Sequence, residues 1–340
     1  MNSARIQLFE GSRRPFRPVS VPLPGDLQPG EVLAEISLAT ICGSDLHTAE
    51  GRREAPVPCV LGHEAVGRVV RSARDGVAEN SRVTWAMADS CGSCPPCTRW
   101  DLPQKCDHLF KYGHASLTDG TGLNGCYASH ILLRPGTAVL PVPDVLPDAL
   151  AAPANCALAT IIHALETLPV PCSRALVQGG GLLGIYACAW LRHKGVGEVL
   201  CTDLSPLRLA LVPEFGGIPV AAGDPVPPVD LVLEVTGSSA VIPDGLRALR
   251  PGGHYIWAGM VHPQTPIALT GEEVLRKCLT LRGVHNYGPR HLAAGLDFLA
   301  AHYSRWPFGR LISPPLSLAQ LNEGFALSRS RQWQRVAIIP

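Results

Sequence analysis

A chain of 340 residues with 46% apolar side chains is long enough for two hydrophobic cores, and a single core would be stretched at that size. The formal net charge of +1 gives no electrostatic reason to expect nucleic acid or an acidic surface as partner, so small metabolites are the expected ligands. The first sixteen residues mix charged and polar side chains and lack the apolar stretch of an export signal. The most apolar run, residues 149–165, contains Pro153, Asn155 and His163 and falls short of a bilayer span. A soluble, cytoplasmic protein is expected, with no membrane partner and its twelve cysteines kept mostly as thiols.

From Arg5 to about Glu35, short apolar alternations are broken by Pro22, Pro24, Gly25, Pro29 and Gly30, and the runs 66–70 and 82–85 continue that style. This predicts a β-rich first domain, with little helical periodicity before residue 145. Within it lies Cys42-Gly-Ser44-Asp-Leu-His47, followed by Gly62-His63-Glu64. A thiolate and an imidazole this close, each beside glycine, are ligands of the kind a tetrahedral zinc takes, and one further ligand would leave a fourth position open. Ser44 is expected to cap a short helix whose first turn holds Asp45 and His47; it is either a plain capping residue or a hydroxyl oriented for chemistry. Glu64, next to His63, is expected to approach the metal or to orient its ligands.

The spacing Cys91-x2-Cys94-x2-Cys97-x8-Cys106 puts four thiolates in one compact lobe, the composition of a closed structural zinc, with a redox-active cluster as the alternative. Cys59, Cys126, Cys172, Cys188, Cys201 and Cys278 read as packing residues. Lys111, His114 and Arg134 are read either as facing an anionic substrate or as ordinary surface charge. A proline-rich linker at 141–147 precedes a change to helical spacing over 156–168, with Leu158, Ile161, Ile162 and Leu165 on one face.

A short buried strand at 175–178 runs into Gly179-Gly-Gly181-Leu-Leu-Gly184 and a helix over 182–194. In a G-x-G-x-x-G turn of this kind Gly179 permits the tight bend, Gly181 lets the backbone approach a pyrophosphate, and Gly184 lets helix meet strand. A second strand ends at Asp203, where a carboxylate accepts hydrogen bonds from ribose hydroxyls and repels a 2′-phosphate. NAD is therefore expected over NADP, a preference that the nearby Arg208 would weaken. Further strands at 231–234, 255–258 and 279–281, with a helix at 239–249, alternate as a doubly wound parallel sheet requires. One connection is short: residues 223–230 must cross three strand spacings and double back, roughly 20–25 Å, and eight extended residues reach about 27 Å. No helix is expected there. A helix at 292–299 and a final strand at 335–340 complete the chain.

Taken in order over nearly the whole chain, Cys42-x-Ser44-x-x-His47, Gly62-His63-Glu64, the four-cysteine cluster and the turn at Gly179 resemble the zinc-dependent medium-chain alcohol dehydrogenases. Sorbitol and threonine dehydrogenases are similar. The run 109–114 together with Pro153-Ala-Asn-Cys156 resembles a subgroup associated with phosphonate breakdown. The resemblance implies an α/β fold: a GroES-like catalytic domain at 1–152 and 291–340, its zinc lobe at 91–106, and a Rossmann domain at 153–290. It implies two zinc ions per subunit, one on Cys42, His63 and Cys156 and one on Cys91, Cys94, Cys97 and Cys106; Cys156 by itself reads as a small core residue, as an isolated buried cysteine usually does. The last cysteine gap is usually one residue shorter in that family. An alcohol oxygen at the open metal position would lose its hydride to NAD and its proton through Ser44, the cofactor ribose and His47. Thr160 would border the nicotinamide or simply pack, and Arg335 would reach the pyrophosphate or stand as a strand-end charge in water. Family habit implies a homodimer or homotetramer acting on a secondary alcohol, a polyol or a hydroxyalkyl phosphonate. The rival readings are a zinc-free quinone reductase of the same fold and a non-enzymatic zinc protein binding a macromolecule.

Overall fold

The computed structural model describes residues 3–340, which form two compact units. The first comprises the chain to Cys156, Tyr287–Tyr303 and Phe308–Pro340; the second comprises Ala157–Asn286 and Ser304–Pro307. The family resemblance implies 153–290 for the second domain.

The first unit is β-rich. Strand Val32–Ile41 is its spine: it pairs antiparallel with Glu64–Ser72 on one side and with the C-terminal strand Val336–Ile339 on the other. Strand register sets the position of three polar residues, because Thr40 lies opposite Glu64 and Ile41 opposite Val336. The residues just beyond these pairs, Cys42, His63 and Arg335, are thereby delivered to one end of the sheet. Beneath it Phe16, Tyr127 and Phe325 pack as an aromatic group with ring centroids 4.6–6.3 Å apart.

The second unit holds six parallel strands in the order Ile218–Ala221, Glu198–Asp203, Arg174–Gln178, Val229–Glu234, Leu249–Trp257 and Thr280–Gly283. This is the doubly wound arrangement, with the strand order reversing beside Arg174–Gln178. The connection at 222–228 contains no helix, as the reach argument requires. Its Val226 instead packs against the cluster of Leu176, Leu200 and Val232, which the helix Ile242–Ala248 also covers through Ile242 and Leu246. A loop side chain thus takes over part of what a crossover helix would bury.

Elsewhere the expected elements shift. The helix expected over 156–168 begins at Ala157 and ends at Ala164, after the 3₁₀ turn Ala152–Asn155. Cys59, Cys126, Cys188 and Cys201 are buried as packing residues and Cys172 is half-buried, whereas Cys278 is exposed with a left-handed backbone (φ 51°), its thiol donating to the Leu275 carbonyl. None of the twelve cysteines is paired in a disulfide. Among the described residues no helix is long and apolar enough to cross a membrane.

Candidate metal and cofactor sites

Ligand atoms of Cys42, His63, Glu64 and Cys156 lie within 4.8 Å of one another at the end of the Val32–Ile41 strand. Each arrives by a different local device. Cys42 is the N-cap of helix Gly43–Ala49, and its N–H donates to the carboxylate of Asp45 at 3.0 Å. His63 follows Gly62, whose φ of +89° needs glycine and whose missing Cβ leaves room for the Tyr127 ring, 2.9 Å from where that atom would stand. Cys156 is held through its neighbour: Asn155 donates to the Trp85 carbonyl at 3.2 Å and accepts from the Tyr287 hydroxyl.

The electrostatics are those of a buried charge cluster. The hydrogen bond from Cys156, with Arg335 and His63 nearby, holds the Cys42 thiol well below the usual range, and the same bond together with burial raises Cys156. Burial by itself would push the His63 imidazole down, but Asp45, 3.5 Å from Nδ1, and the Cys42 sulfur raise it to about 10. Burial pushes Glu64 up to about 7 against the pull of Arg335. Arg335 donates through Nε (2.7 Å) and Nη2 (2.9 Å) to Glu64, and Nη2 also lies 3.5 Å from the Cys42 sulfur. Thr40 donates to the same carboxylate at 2.6 Å.

This corrects two expectations. Arg335 is not a strand-end charge in water: it is 5% exposed, and it donates to Glu64, toward the Cys42 sulfur and to the Gln334 carbonyl. Ser44 is not the helix cap; Cys42 is, because Asp45 three residues on supplies the acceptor that its N–H needs. Ser44 sits one residue into the helix with Oγ 3.5 Å from His63 Nε2, and His47 lies in the last turn rather than the first. Sequence reasoning missed Asp45 as a positioning residue. Its carboxylate, 1% exposed, meets Cys42 N–H, Tyr127 Oη (2.8 Å) and His63. The spacing Cys42-x-x-Asp45 was the available signal.

The sulfurs of Cys91, Cys94, Cys97 and Cys106 also lie within 4.8 Å of one another. Backbone N–H groups of Ser93 and Cys94 point at the Cys91 sulfur and those of Cys91 and His108 at the Cys106 sulfur, from 3.2–3.4 Å, whereas burial pushes the Cys97 thiol up to about 12 and raises Cys106. Hydrogen bonds from Ser93 and Cys94 lower Cys91 to about 5. The longer Cys97–Cys106 gap does not open the lobe. It contains Asp101 in the left-handed region (φ 54°), whose carboxylate takes two bonds from Arg290 at 2.7 and 2.9 Å. A Cys₄ set of this kind matches a closed zinc site, and a Cys₂His set with a carboxylate alongside matches an open one.

In the second unit, Gly179 has φ +115°, and a Cβ at Gly184 would stand 1.7 Å from the Gly179 carbonyl oxygen, so only glycine lets the helix Leu182–His193 begin so close to the strand. Gly181 is that helix's N-cap. Asp203 accepts from the N–H groups of Gly180 and Ser205, both at 2.8 Å, and Arg208 Nη1 stands 3.7 Å away. An apolar hollow of about 590 Å³ opens beside Asp203, lined by Leu204, Pro206, Leu209 and Ala221. Thr160 is buried in helix Ala157–Ala164. Arg134 lies 4.3 Å over the Phe110 ring and 3.9 Å from Asp89, so it packs at the surface of the strands Phe110–Lys111 and Arg82–Asp89.

Residues 28–144 match the model of the alcohol dehydrogenase GroES-like domain, and residues 154–332 match that of the glucose dehydrogenase C-terminus. The chain belongs to the zinc-dependent medium-chain alcohol dehydrogenases. It is 26% identical to a 5-exo-hydroxycamphor dehydrogenase of Pseudomonas putida, covering 90% of each chain. It is 29% identical to an L-threonine 3-dehydrogenase of a Chelativorans species, covering 94% of this chain and 93% of that one. An alcohol dehydrogenase of Thermotoga maritima superposes with a TM-score of 0.91 at 28% identity over 99% of both chains. The protein is therefore an oxidoreductase of a zinc- and NAD(P)-dependent family.

Proposed function

We propose that this dehydrogenase moves a hydride between an alcohol and NAD, using zinc held by Cys42, His63 and Cys156, with a second, structural zinc on Cys91, Cys94, Cys97 and Cys106. The observation that carries this reading is the convergence of two sulfurs and an imidazole within 4.8 Å, buried together with an oriented carboxylate. When bound there, zinc supplies the Lewis acidity that makes a hydroxyl easier to deprotonate.

The chain's own groups do the rest. Asp45 fixes the ring of His63, and Arg335 with Thr40 holds Glu64 beside the ligands. Ser44, within reach of that cluster, receives the hydroxyl proton, and His47 on the same helix passes it toward solvent. Bound NAD would supply the hydride acceptor that takes the alcohol to a carbonyl with release of one proton. Gly179, Gly181 and Gly184 seat the pyrophosphate, and Thr160 borders the nicotinamide. Asp203 keeps acceptor capacity for the ribose hydroxyls, and the apolar hollow beside it suits an adenine ring. Asp203 favours NAD over NADP, with Arg208 moderating the preference.

The substrate class is a secondary alcohol, a polyol or a hydroxyalkyl phosphonate, consistent with relatives named for hydroxycamphor and threonine. We place the protein in the cytoplasm as a homodimer or homotetramer. An NAD-coupled screen of such alcohols, with metal analysis on the same sample, tests the function. Reduction of NAD with two zinc ions per chain is expected, and turnover that survives Cys42→Ser would end the proposal.

A further inference from the structure

Two cations beside the proposed zinc ligands have no counter-ion among the described residues. Helix Gly43–Ala49, which starts at Cys42, runs out into a tail where Arg53 N–H bonds the His47 carbonyl at 3.2 Å. From another direction the strand Phe110–Lys111 leads into Tyr112-Gly113-His114, which packs directly on the Gly62-His63 turn. A Cβ at Gly113 would stand 2.5 Å from the Gly62 carbonyl oxygen, and the His114 ring centroid is 5.4 Å from that of His63. Lys111 thereby lies within electrostatic range of Cys42, Cys156 and Arg53.

Both side chains are half-buried, yet neither the Arg53 guanidinium nor the Lys111 ammonium makes a hydrogen bond or ion pair among the described residues. The contrast within the same unit is sharp: Arg82, Arg134, Arg290 and Arg335 each face a carboxylate. His114 does not neutralise the pair. It donates Nδ1–H to the Tyr112 carbonyl at 3.0 Å, and burial with the cations around it keeps it neutral. Burial and Arg53 push the Lys111 ammonium down to about 8, the signature of a cation in want of an anion.

We propose that Arg53 and Lys111 form an anion subsite next to the zinc ligands, so that the alcohol this enzyme oxidises carries a phosphonate, phosphate or carboxylate a few atoms from its hydroxyl. The inference rests on the dehydrogenase reading and narrows its substrate class.

The test is kinetic. Zinc-loaded enzyme and NAD are assayed with 2-hydroxypropylphosphonate, glycerol phosphate and 3-hydroxybutyrate against neutral 2-pentanol. The kcat/KM of at least one anionic alcohol is expected to exceed that of the neutral one by about 100-fold, since charged hydrogen bonds of ordinary strength give roughly ten-fold or more each. The arm that wins identifies the anion. Arg53→Met and Lys111→Met should each lower the anionic-to-neutral ratio about ten-fold, mainly through KM, while Lys111→Arg retains it and Arg134→Met leaves it alone. Methylphosphonate should inhibit wild-type enzyme competitively against the alcohol, a measurement that does not depend on any variant folding. A ratio near one in the wild type, or a ratio unmoved by both Met variants, overturns the subsite and leaves the dehydrogenase reading intact. Inertness toward every alcohol overturns that reading, and the subsite with it.

Discussion

The two sulfur clusters of the first unit are built on different principles. The lobe at 91–106 takes all four ligands from sixteen consecutive residues, one of them exposed, and is organised by local N–H groups aimed at sulfur. The other gathers Cys42, His63 and Cys156 from distant places by strand register. It surrounds them with buried charge: Asp45 on the imidazole, Arg335 on Glu64 and on sulfur. A local cluster can be rebuilt by its own loop, whereas a register-built cluster fails when any element that delivers a ligand shifts. The difference teaches where damage in this protein will be chemical and where it will be structural.

The largest effect should separate the two directly. Cys42→Ser or His63→Ala is expected to abolish alcohol oxidation and remove one zinc per chain while the fold persists. Cys94→Ser is expected to remove the other zinc and lower the unfolding temperature, with folded molecules still turning over. Metal content, a thermal melt and an NAD-coupled assay on the same samples read all three. Equal loss of activity per folded molecule from both changes would erase the distinction.

Next in size is the charge network. Arg335→Leu strands a buried Glu64, a defect of about 3–5 kcal/mol in comparable buried pairs. The companion variant Glu64→Gln with Arg335→Leu removes the orphaned charge and should recover much of that loss. Urea unfolding of the metal-free protein measures both; additivity of the two single changes would mean that the pair does not act as one unit.

A finer break is at Asp45. Asp45→Asn keeps the shape and an acceptor for Cys42 N–H but removes the charge beside His63. Zinc affinity at this site should fall roughly 10–100-fold, as for other groups that orient a metal-bound histidine, with the lobe's zinc unchanged. Competition with a graded chelator reports the two sites separately, and parallel weakening of both would refute the assignment.

Legibility in the sequence follows the same divide. The four-cysteine lobe and the glycine turn were readable from spacing because their chemistry lies within one segment. The absent helix at 222–228 was readable because chain reach is a local quantity. Asp45 and Arg335 were not legible in this way. The role of Asp45 depends on which residue caps the helix, and Cys42 displaced Ser44 from that position because Asp45 supplies the acceptor. Arg335 depends on the pairing of Val336 with Ile41, which turns a C-terminal charge inward onto Glu64. The Cys42-x-x-Asp45 spacing signals the bond to Cys42 N–H, but no spacing encodes the meeting of Asp45 with His63 and Tyr127 or of Arg335 with Glu64. Lys111 and Arg134 show the limit side by side in space: Arg134 lies over the ring of Phe110 and near Asp89, while Lys111, next to Phe110 in sequence, finds no carboxylate or hydrogen-bond partner for its ammonium among the described residues.

The smallest expected effect sharpens the comparison most, because each cluster has its own arginine on a carboxylate. Arg335 on Glu64 is buried, with side-chain exposures of 6% and 0%, whereas Arg290 on Asp101 is open to water at 47% and 72%. Each carboxylate takes two bonds from its arginine, and Glu64 takes a third from Thr40, but the larger difference between the pairs is solvent. Water screens the Arg290 pair, and exposed pairs contribute about 0–1 kcal/mol. Arg290→Met should therefore cost less than about 1 kcal/mol, retain the lobe's zinc and leave turnover at the other cluster unchanged. That small loss should fade further at high salt, because screening has already removed most of what the pair contributes. A salt-insensitive loss as large as that of Arg335→Leu would mean that the lobe, too, depends on charges delivered from elsewhere in the fold.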